Sequence, residues 1–383
     1  MDFTPLFKLM AEKEASDLFI AADAPVYFKI KGNLVTVADR KVTAEEIDNM
    51  ISHMISAEDY QRFKKESDFD TSLVVEGVGR FRLNIFVQKG SPGVVARRIS
   101  TDMPTLKDLG LPQELADVTL EKNGLVLIVG GTGSGKSTTL AAMVDHRNSN
   151  TDGHIITIED PVEFVHENKK SLITQREVGT DSKSYRTALK SALRQAPDVL
   201  LIGEVRDRES MEAAISFAET GHLVLGTLHA NNAPQTMDRI FGFFPNDIHD
   251  MLKLQLSQTL KAVMAQRLVK SSRRNERFVA VEFMTLTARI SDLILKGEFQ
   301  SLKSAIERST GQGMVTFDES LFQLYKSGKI DFETALTNSD SPTDLRLRIR
   351  SEEESEMPTN IKLMEEEPEE YAPDDSVQDD EII

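Results

Sequence analysis

The sequence predicts an α/β protein of two folded units, the second built on a mainly parallel sheet covered by helices. Three observations predict it. After about residue 112, four apolar runs, "GLVLIVGG", "HIITIED", "PDVLLIG" and "HLVLGTLH", alternate with helical stretches, the pattern of parallel strands joined by crossover helices. A glycine-rich loop separates the first of those runs from a helix. Before residue 99 the chain instead carries short runs with apolar/polar alternation among helical patterns, the mark of half-buried strands in a small α+β unit.

The bounds agree. A chain of 383 residues exceeds one typical core, and 40% hydrophobic residues is ordinary for a globular protein. The chain has no cysteine, which excludes disulfides, thiolate-bound zinc and thiol nucleophiles and suits a reducing compartment. "MDFTPLFKLMAEKEASD" has neither the basic leader nor the apolar centre of a signal peptide. No apolar run approaches the ~18 residues of a membrane span, so any membrane role is expected to go through a partner. The net charge is −17, but residues 351–383 hold 14 acidic residues and one lysine. That acidic tail is expected to be disordered, either a solubilising appendage or a docking tail for a basic partner. It argues against nucleic acid as a ligand.

Residues 1–98 form the first unit, in order. "FTPLFKLMAEK" places Phe3, Leu6, Phe7, Leu9 and Met10 largely on one helical face. "DLFIAA" and "VYFKIKGNLVTV" read as strands, the second pair turning at "KGN". "TAEEIDNMISHMI" is a helix opened by a Thr43/Glu46 capping box. In "GRFRLNIFVQ", Phe81, Leu83, Ile85 and Val87 point one way, and Arg80, Arg82, Asn84 and Phe86 the other. Residues 99–112 are a linker in which "DMPTLKDLGLP" carries a short helical piece. Residues 113–349 are the second unit. There "SYRTALKSALRQAPD" is an amphipathic helix. "DIHDMLKLQLSQTLKAVMAQRLV" repeats Leu252, Leu256, Leu260 and Met264 at helical spacing, so the chain beyond residue 245 is expected to be helical. Residues 350–383 are the tail.

The chemistry concentrates in four stretches. "GGTGSGKST", Gly130, Gly131, Thr132, Gly133, Ser134, Gly135, Lys136, Ser137 and Thr138, fits G-x-x-x-x-G-K-[ST] between a strand and a helix, the context of a P-loop. Its backbone N–H groups would curl around phosphates, Lys136 would reach the β and γ phosphates, and Ser137 would ligand Mg²⁺. "VLLIGEVRD" ends a buried strand with Gly203 where many nucleotide-hydrolysing enzymes have a metal-binding Asp, and Glu204 follows. A carboxylate there can orient or deprotonate the attacking water, or merely cap a helix or pair with Arg206 or Arg208. "TIEDPVEF" offers Glu159, Asp160 and Glu163 to assist the metal, Glu159 and Glu163 through water. "GHLVLGTLHA" sets His222 and His229 at the two ends of a strand, too far apart for a metal pair; one of them is either structural or a γ-phosphate contact.

These four stretches, in this order, resemble the Walker A, Asp, Walker B and His boxes of the secretion-type ATPase superfamily. Within it the chain resembles the PilT/PilU twitching-motility ATPases over residues 1 to about 349, through "SDLFI", "GRFRLNIF", "QREVG", "ALRQAPDVLLIGEVRDRE" and "GHLVLGTLHANNAPQTMDRI". Phe19 replaces a histidine usual in PilT-type chains. "TARISDLILKGE" keeps Ile290, Leu293 and Ile294 but lacks the charges of the PilT "AIRNLIRE" motif. "ERSTGQGMVTFDESLFQLYKSGKI", "SPTDLRLRIR" and the acidic tail place the resemblance on the PilU side.

The resemblance implies a PAS-like amino-terminal domain joined to a RecA-like P-loop domain, assembled as a homo-hexameric ring. It implies ATP and Mg²⁺ as ligands and Glu204 as the catalytic carboxylate, assisted by Glu159, Asp160, Glu163 and His229. It implies that Arg82 and Arg97 serve a neighbouring subunit's site, with Arg194 and Arg239 in cis or at the interface. The implied activity is ATP hydrolysis powering type IV pilus retraction, as a co-motor dependent on a PilT-type ATPase. The implied location is cytoplasmic, at the inner-membrane pilus base beside a platform protein. A pilus-assembly or secretion ATPase, usually with a four-cysteine zinc module, and a nucleotide-binding scaffold for another motor ring are the alternatives.

Overall fold

The structure is a computed structural model that describes residues 3–30, 32–99, 103–271 and 276–356. The acidic segment from residue 357 onward lies outside the described residues.

The first sheet holds β1 (Asp17–Ala21), β2 (Ala24–Ile30), β3 (Asn33–Val42), β4 (Asp68–Val75), β5 (Gly79–Gln88) and β6 (Ser91–Arg98). Its order is β3-β2-β1-β6-β5-β4, antiparallel throughout. Phe81, Leu83 and Ile85 are buried as the alternation requires. Val87 runs past the end of the core and is exposed. Phe7 and Met10 from helix Thr4–Glu12, Ile47, Met50 and Ile51 from Ala44–Met54, and Phe63 from Ala57–Glu66 close the core against that face. The Thr43/Glu46 capping box forms as read.

Residues 105–111 make hydrogen-bonded turns, correcting the short helix expected there. Thr105 and Asp108 exchange side-chain and backbone bonds over a single turn. Gly110 in the left-handed region and Pro112 then stop propagation, and the helix begins at Gln113.

The second sheet has β7 (Gly124–Gly130), β8 (Gly153–Glu159), β9 (Ser171–Glu177), β10 (Val199–Ile202), β11 (Leu223–Leu228), β12 (Leu260–Lys270) and β13 (Arg277–Thr285). Its order is β13-β12-β7-β11-β10-β8-β9, parallel except for the β12/β13 hairpin at one edge. Alternate residues serve two cores. Leu125, Leu127, Val129, Leu200 and Ile202 face one layer of helices; Val126, Ile128, Val199 and Leu201 face the other. Both faces being covered explains why these strands read as unbroken apolar runs.

Two parts of the helical expectation beyond residue 245 are corrected. Helix His249–Thr259 ends before Leu260, and Leu260–Met264 opens β12 rather than continuing the helix. β13 was read as helix as well. β12 lies between β7 and β13, with Ala262 to Gln266 all buried. A strand buried on both faces shows no alternation, so the four-residue spacing of leucines carried on by coincidence. After Thr285 the chain is helical again, in Ala288–Lys296, Leu302–Arg308, Phe317–Lys326, Phe332–Asn338 and Pro342–Glu356. Ile290, Leu293 and Ile294 are fully buried in the first of these. Among the described residues no helix is long and apolar enough to cross a membrane.

Candidate functional site

The strand order brings the carboxyl ends of β7, β8, β10 and β11 side by side, the place where open α/β sheets bind ligands. A cavity of about 540 Å³ opens there.

β7 ends at Gly130, where the glycine loop that enters the cavity at Thr132 and Gly133 begins. Its φ is +152°, and a Cβ would meet Ser134 Oγ at 2.5 Å and the Gln266 carbonyl at 2.6 Å, so only glycine fits beside β12. Gly133 and Gly135 take φ of +75° and +94°, values glycine adopts without strain. Gly131 has neither constraint. Gly135 is the N-cap of helix Lys136–Asn150 and no side chain caps that helix. Its first N–H groups are therefore left for an anion. Ser134 Oγ is buried without a partner. This uncapped, glycine-cornered cradle fits a phosphate chain. Lys136 Nζ donates to the Gly130 and Gly131 carbonyls, 2.9 Å each. Burial pulls the ammonium pKa down, against the charges of Glu204 and Glu163.

Gly203 continues β10, and its crowding explains why no aspartate stands there. A Cβ would lie 3.1 Å from Glu159 Cα, 3.2 Å from the Ile158 carbonyl and 3.3 Å from the Tyr185 hydroxyl. Glu204 follows into the cavity. Its Oε2 accepts from Arg206 Nη2 at 2.7 Å and its Oε1 lies 3.2 Å from His229 Nε2. Burial raises its pKa, but the Arg206 hydrogen bond and charge, with His229 and Lys136, outweigh that and hold it low. Glu204 thus lines the cavity and pairs with Arg206 at the same time. Arg206 Nη1 also reaches Asp160 Oδ2 at 3.5 Å.

Glu159 ends β8. Its Oε1 accepts from Thr157 Oγ1 at 2.6 Å and Gln175 Nε2 at 3.2 Å. Burial pushes its carboxyl up, only partly offset by those bonds. Asp160 and Glu163 join Glu159 in the cavity wall. Among the described residues no three His, Asp or Glu side chains gather closely enough to hold a metal unaided, so Mg²⁺ would need the nucleotide's own oxygens beside Ser137.

His222 is bonded to the Phe217 carbonyl and Thr220 Oγ1, 3.1 Å each, against the Phe217 ring; it is structural. The four arginines do not converge on Glu204. Arg82 lines a separate groove with Asp160 and Pro161. Arg97 pairs with Asp17 at 2.7 Å, its side chain 68% exposed and the carboxylate buried. Arg194 is exposed beyond helix Tyr185–Ala192. Arg239 shares a groove with Gly130, Gly131 and His229 and lies over the Phe243 ring.

Sequence reading quoted "QREVG" for the resemblance but assigned no strand to β9 and no role to Gln175, which bonds Glu159, the Phe164 carbonyl and the His166 N–H. It also missed His166 and Thr227 in the cavity wall. The signal for β9 was the bounded stretch "SLITQRE", too polar to stand out. Burial lowers the His166 pKa to about 4, so the ring is neutral.

Comparison with known proteins agrees with this geometry. The Type II/IV secretion system protein family matches residues 3–310. The chain is 47% identical to the type IV pilus ATPase PilU of Pseudomonas aeruginosa, over 93% of each chain. It is 39% identical to the type IV pilus retraction ATPase PilT of the same organism, over 89% of this chain and 99% of that one. A crystal structure of the pilus retraction motor PilT with bound ADP superposes with a TM-score of 0.84 at 38% identity, covering 90% of this chain and 99% of that chain. With the matched family, the shared fold and the four boxes at one sheet edge, the chain belongs to the type II/IV secretion system proteins, among the PilT/PilU twitching-motility ATPases.

Proposed function

We propose that this protein hydrolyses ATP to drive type IV pilus retraction, as a homo-hexameric co-motor that depends on a PilT-type ATPase. The observation that carries the reading is the glycine-cornered cradle facing Glu204 across one cavity. Gly130 to Thr138 hold the phosphates, and Lys136 exchanges its two carbonyl partners for phosphate oxygens. Ser137 would be the protein ligand of Mg²⁺, with Glu159 and Glu163 reaching it through water, and the ion would supply neutralisation of the phosphate charge. Glu204, held ionised by Arg206, is a weak base and a good acceptor, so it orients the attacking water more than it deprotonates it. Asp160 braces Arg206, and His229 fixes the second oxygen of Glu204.

The same reading keeps 1–98 as a PAS-like domain, 99–112 as a linker, 113–349 as the RecA-like domain and 350–383 as the tail. It places the ring in the cytoplasm at the inner-membrane pilus base, on a platform protein or on a PilT-type ring. Residues beyond 270 carry the contact particular to this branch. Arg82 and Arg97 act on the neighbouring subunit's nucleotide, with Arg194 and Arg239 at the interface. Mixed rings of an Arg82/Arg97 double variant and a Lys136 variant should then regain activity that neither has alone; no regain under demonstrated mixing rejects supply in trans. The co-motor reading is tested by pilus retraction in cells with and without a PilT-type gene. Normal retraction by this protein alone would sink it.

A further inference from the structure

We infer that Arg80 and Glu177 form a relay through which the first sheet sets the position of the acidic loop 159–163 beside the glycine loop. The inference rests on the ATPase reading of the cavity. Arg80 lies on β5, and its Nη2 donates to Glu177 Oε2 at 3.1 Å and to Ser72 Oγ at 3.0 Å. The ion pair joins two residues 97 apart in sequence, on two different sheets, with side chains only 21% and 8% exposed. Glu177 ends β9 and stands in register opposite Glu159, the last residue of β8.

One oxygen of Glu177 does two things. The Oε2 that meets Arg80 also accepts the backbone N–H of Val162 at 3.2 Å. Oε1 accepts from Thr180 Oγ1 at 3.1 Å. Val162 is buried, between Asp160, which braces Arg206, and Glu163, which lines the cavity. The loop is thus tied through one carboxylate to a guanidinium of the other sheet. If Arg80 withdraws, a buried carboxylate is left uncompensated beside Glu159. If Glu177 follows Arg80, the buried Val162 N–H loses its acceptor. Either way a shift of the first sheet is felt at the loop, and a shift of the loop is felt at β5.

The pair is also poised to break. Only one N–H of the Arg80 fork reaches Glu177, and Nε is buried without a partner, so the contact lacks the two-point geometry that resists rotation. Neither residue lines the nucleotide cavity. They are positioning residues, acting through Asp160 and Glu163.

The test uses full-length protein with Arg80→Gln and Glu177→Gln. The glutamine at 177 still offers Val162 an acceptor but no charge to Arg80. ATP turnover, binding of a fluorescent ADP and amide hydrogen exchange are measured. The relay predicts kcat lower by on the order of 10- to 100-fold, with KM and ADP affinity within about twofold. It predicts faster exchange confined to residues 160–166 and the facing part of β5. In an Asp160→Asn, Glu163→Gln background, Arg80→Gln should cost less than about twofold more, because the groups it positions are already gone.

Independent losses that multiply, a KM effect with kcat intact, or exchange rising evenly through both sheets would each overturn the relay. Should Arg80→Gln fail to fold, Glu177→Gln carries the same test: lowered kcat with loop exchange supports the relay, and parental kcat removes it. Lys136→Ala separates the two readings. Turnover by that variant at the parental rate means the ATPase reading has failed. An inactive Lys136→Ala beside unimpaired Arg80 variants means the relay alone has failed.

Discussion

Replacing Glu282 with glutamine should stabilise the fold relative to the parent by an amount that grows as pH rises from 4.5 to about 7 and levels off above that. Glu282 lies on β13, 2% exposed, and accepts the Ala233 N–H at 2.7 Å, where helix Ala233–Phe241 begins. Burial pushes its carboxyl up to about 7. The Ala233 hydrogen bond opposes this, Asp340 adds to it, and Lys303 and Arg267 pull it back. Between the unfolded value of 4.5 and about 7, the folded state holds a proton that the unfolded state has lost. Stability contributed by this group is therefore complete below pH 4.5 and lost as pH rises through 7. The span corresponds to about 3 kcal/mol, or about 6–12 °C in Tm for a unit of 150–250 residues. Glutamine keeps the carbonyl that Ala233 needs and does not titrate. The other ionisable groups are common to both proteins and cancel in the difference. Thermal unfolding of both at fixed protein concentration, from pH 4.5 to 8.5, reads the effect as a widening gap in Tm. A gap that stays constant with pH would refute the burial argument for Glu282.

Glu204→Gln should bind ATP with near-parental affinity and lose at least about 100-fold in turnover, because Lys136 and the glycine loop bind while Glu204 acts on water; near-parental turnover would remove its assignment. Gly130→Ala should abolish nucleotide binding and lower stability by about 1–3 kcal/mol, since its Cβ would strike the Gln266 carbonyl. Gly131→Ala, with nothing within 4 Å, should be nearly neutral in the same binding assay, and equal damage from both would reject the steric account. Gly203→Ala should lower turnover along with stability, because the crowding falls on the backbone of β8 at Glu159; a thermal shift beside a turnover assay checks both.

The sequence by itself determined the features that local physics encodes. The P-loop needs its glycines, lysine and serine within eight residues, so a short window identifies it. The four strands at β7, β8, β10 and β11 are buried on both faces, so each reads as an apolar run bounded by glycine or polar residues. The Thr43/Glu46 capping box closes within four residues. What only the tertiary structure decided depends on which strands become neighbours. β12 lost its strand signal because both its faces are covered, Val263 and Ala265 in one core and Ala262 and Met264 in the other. β9 was missed because an edge strand with one partner tolerates a polar sequence. Gly203 is crowded because β8 passes beside β10, carrying Glu159, while Tyr185 folds over both. Arg80 meets Glu177 across 97 residues, and Glu282 meets Ala233 across 49. Those pairings cost chain entropy that only the assembled cores repay, so no local window of residues contains them.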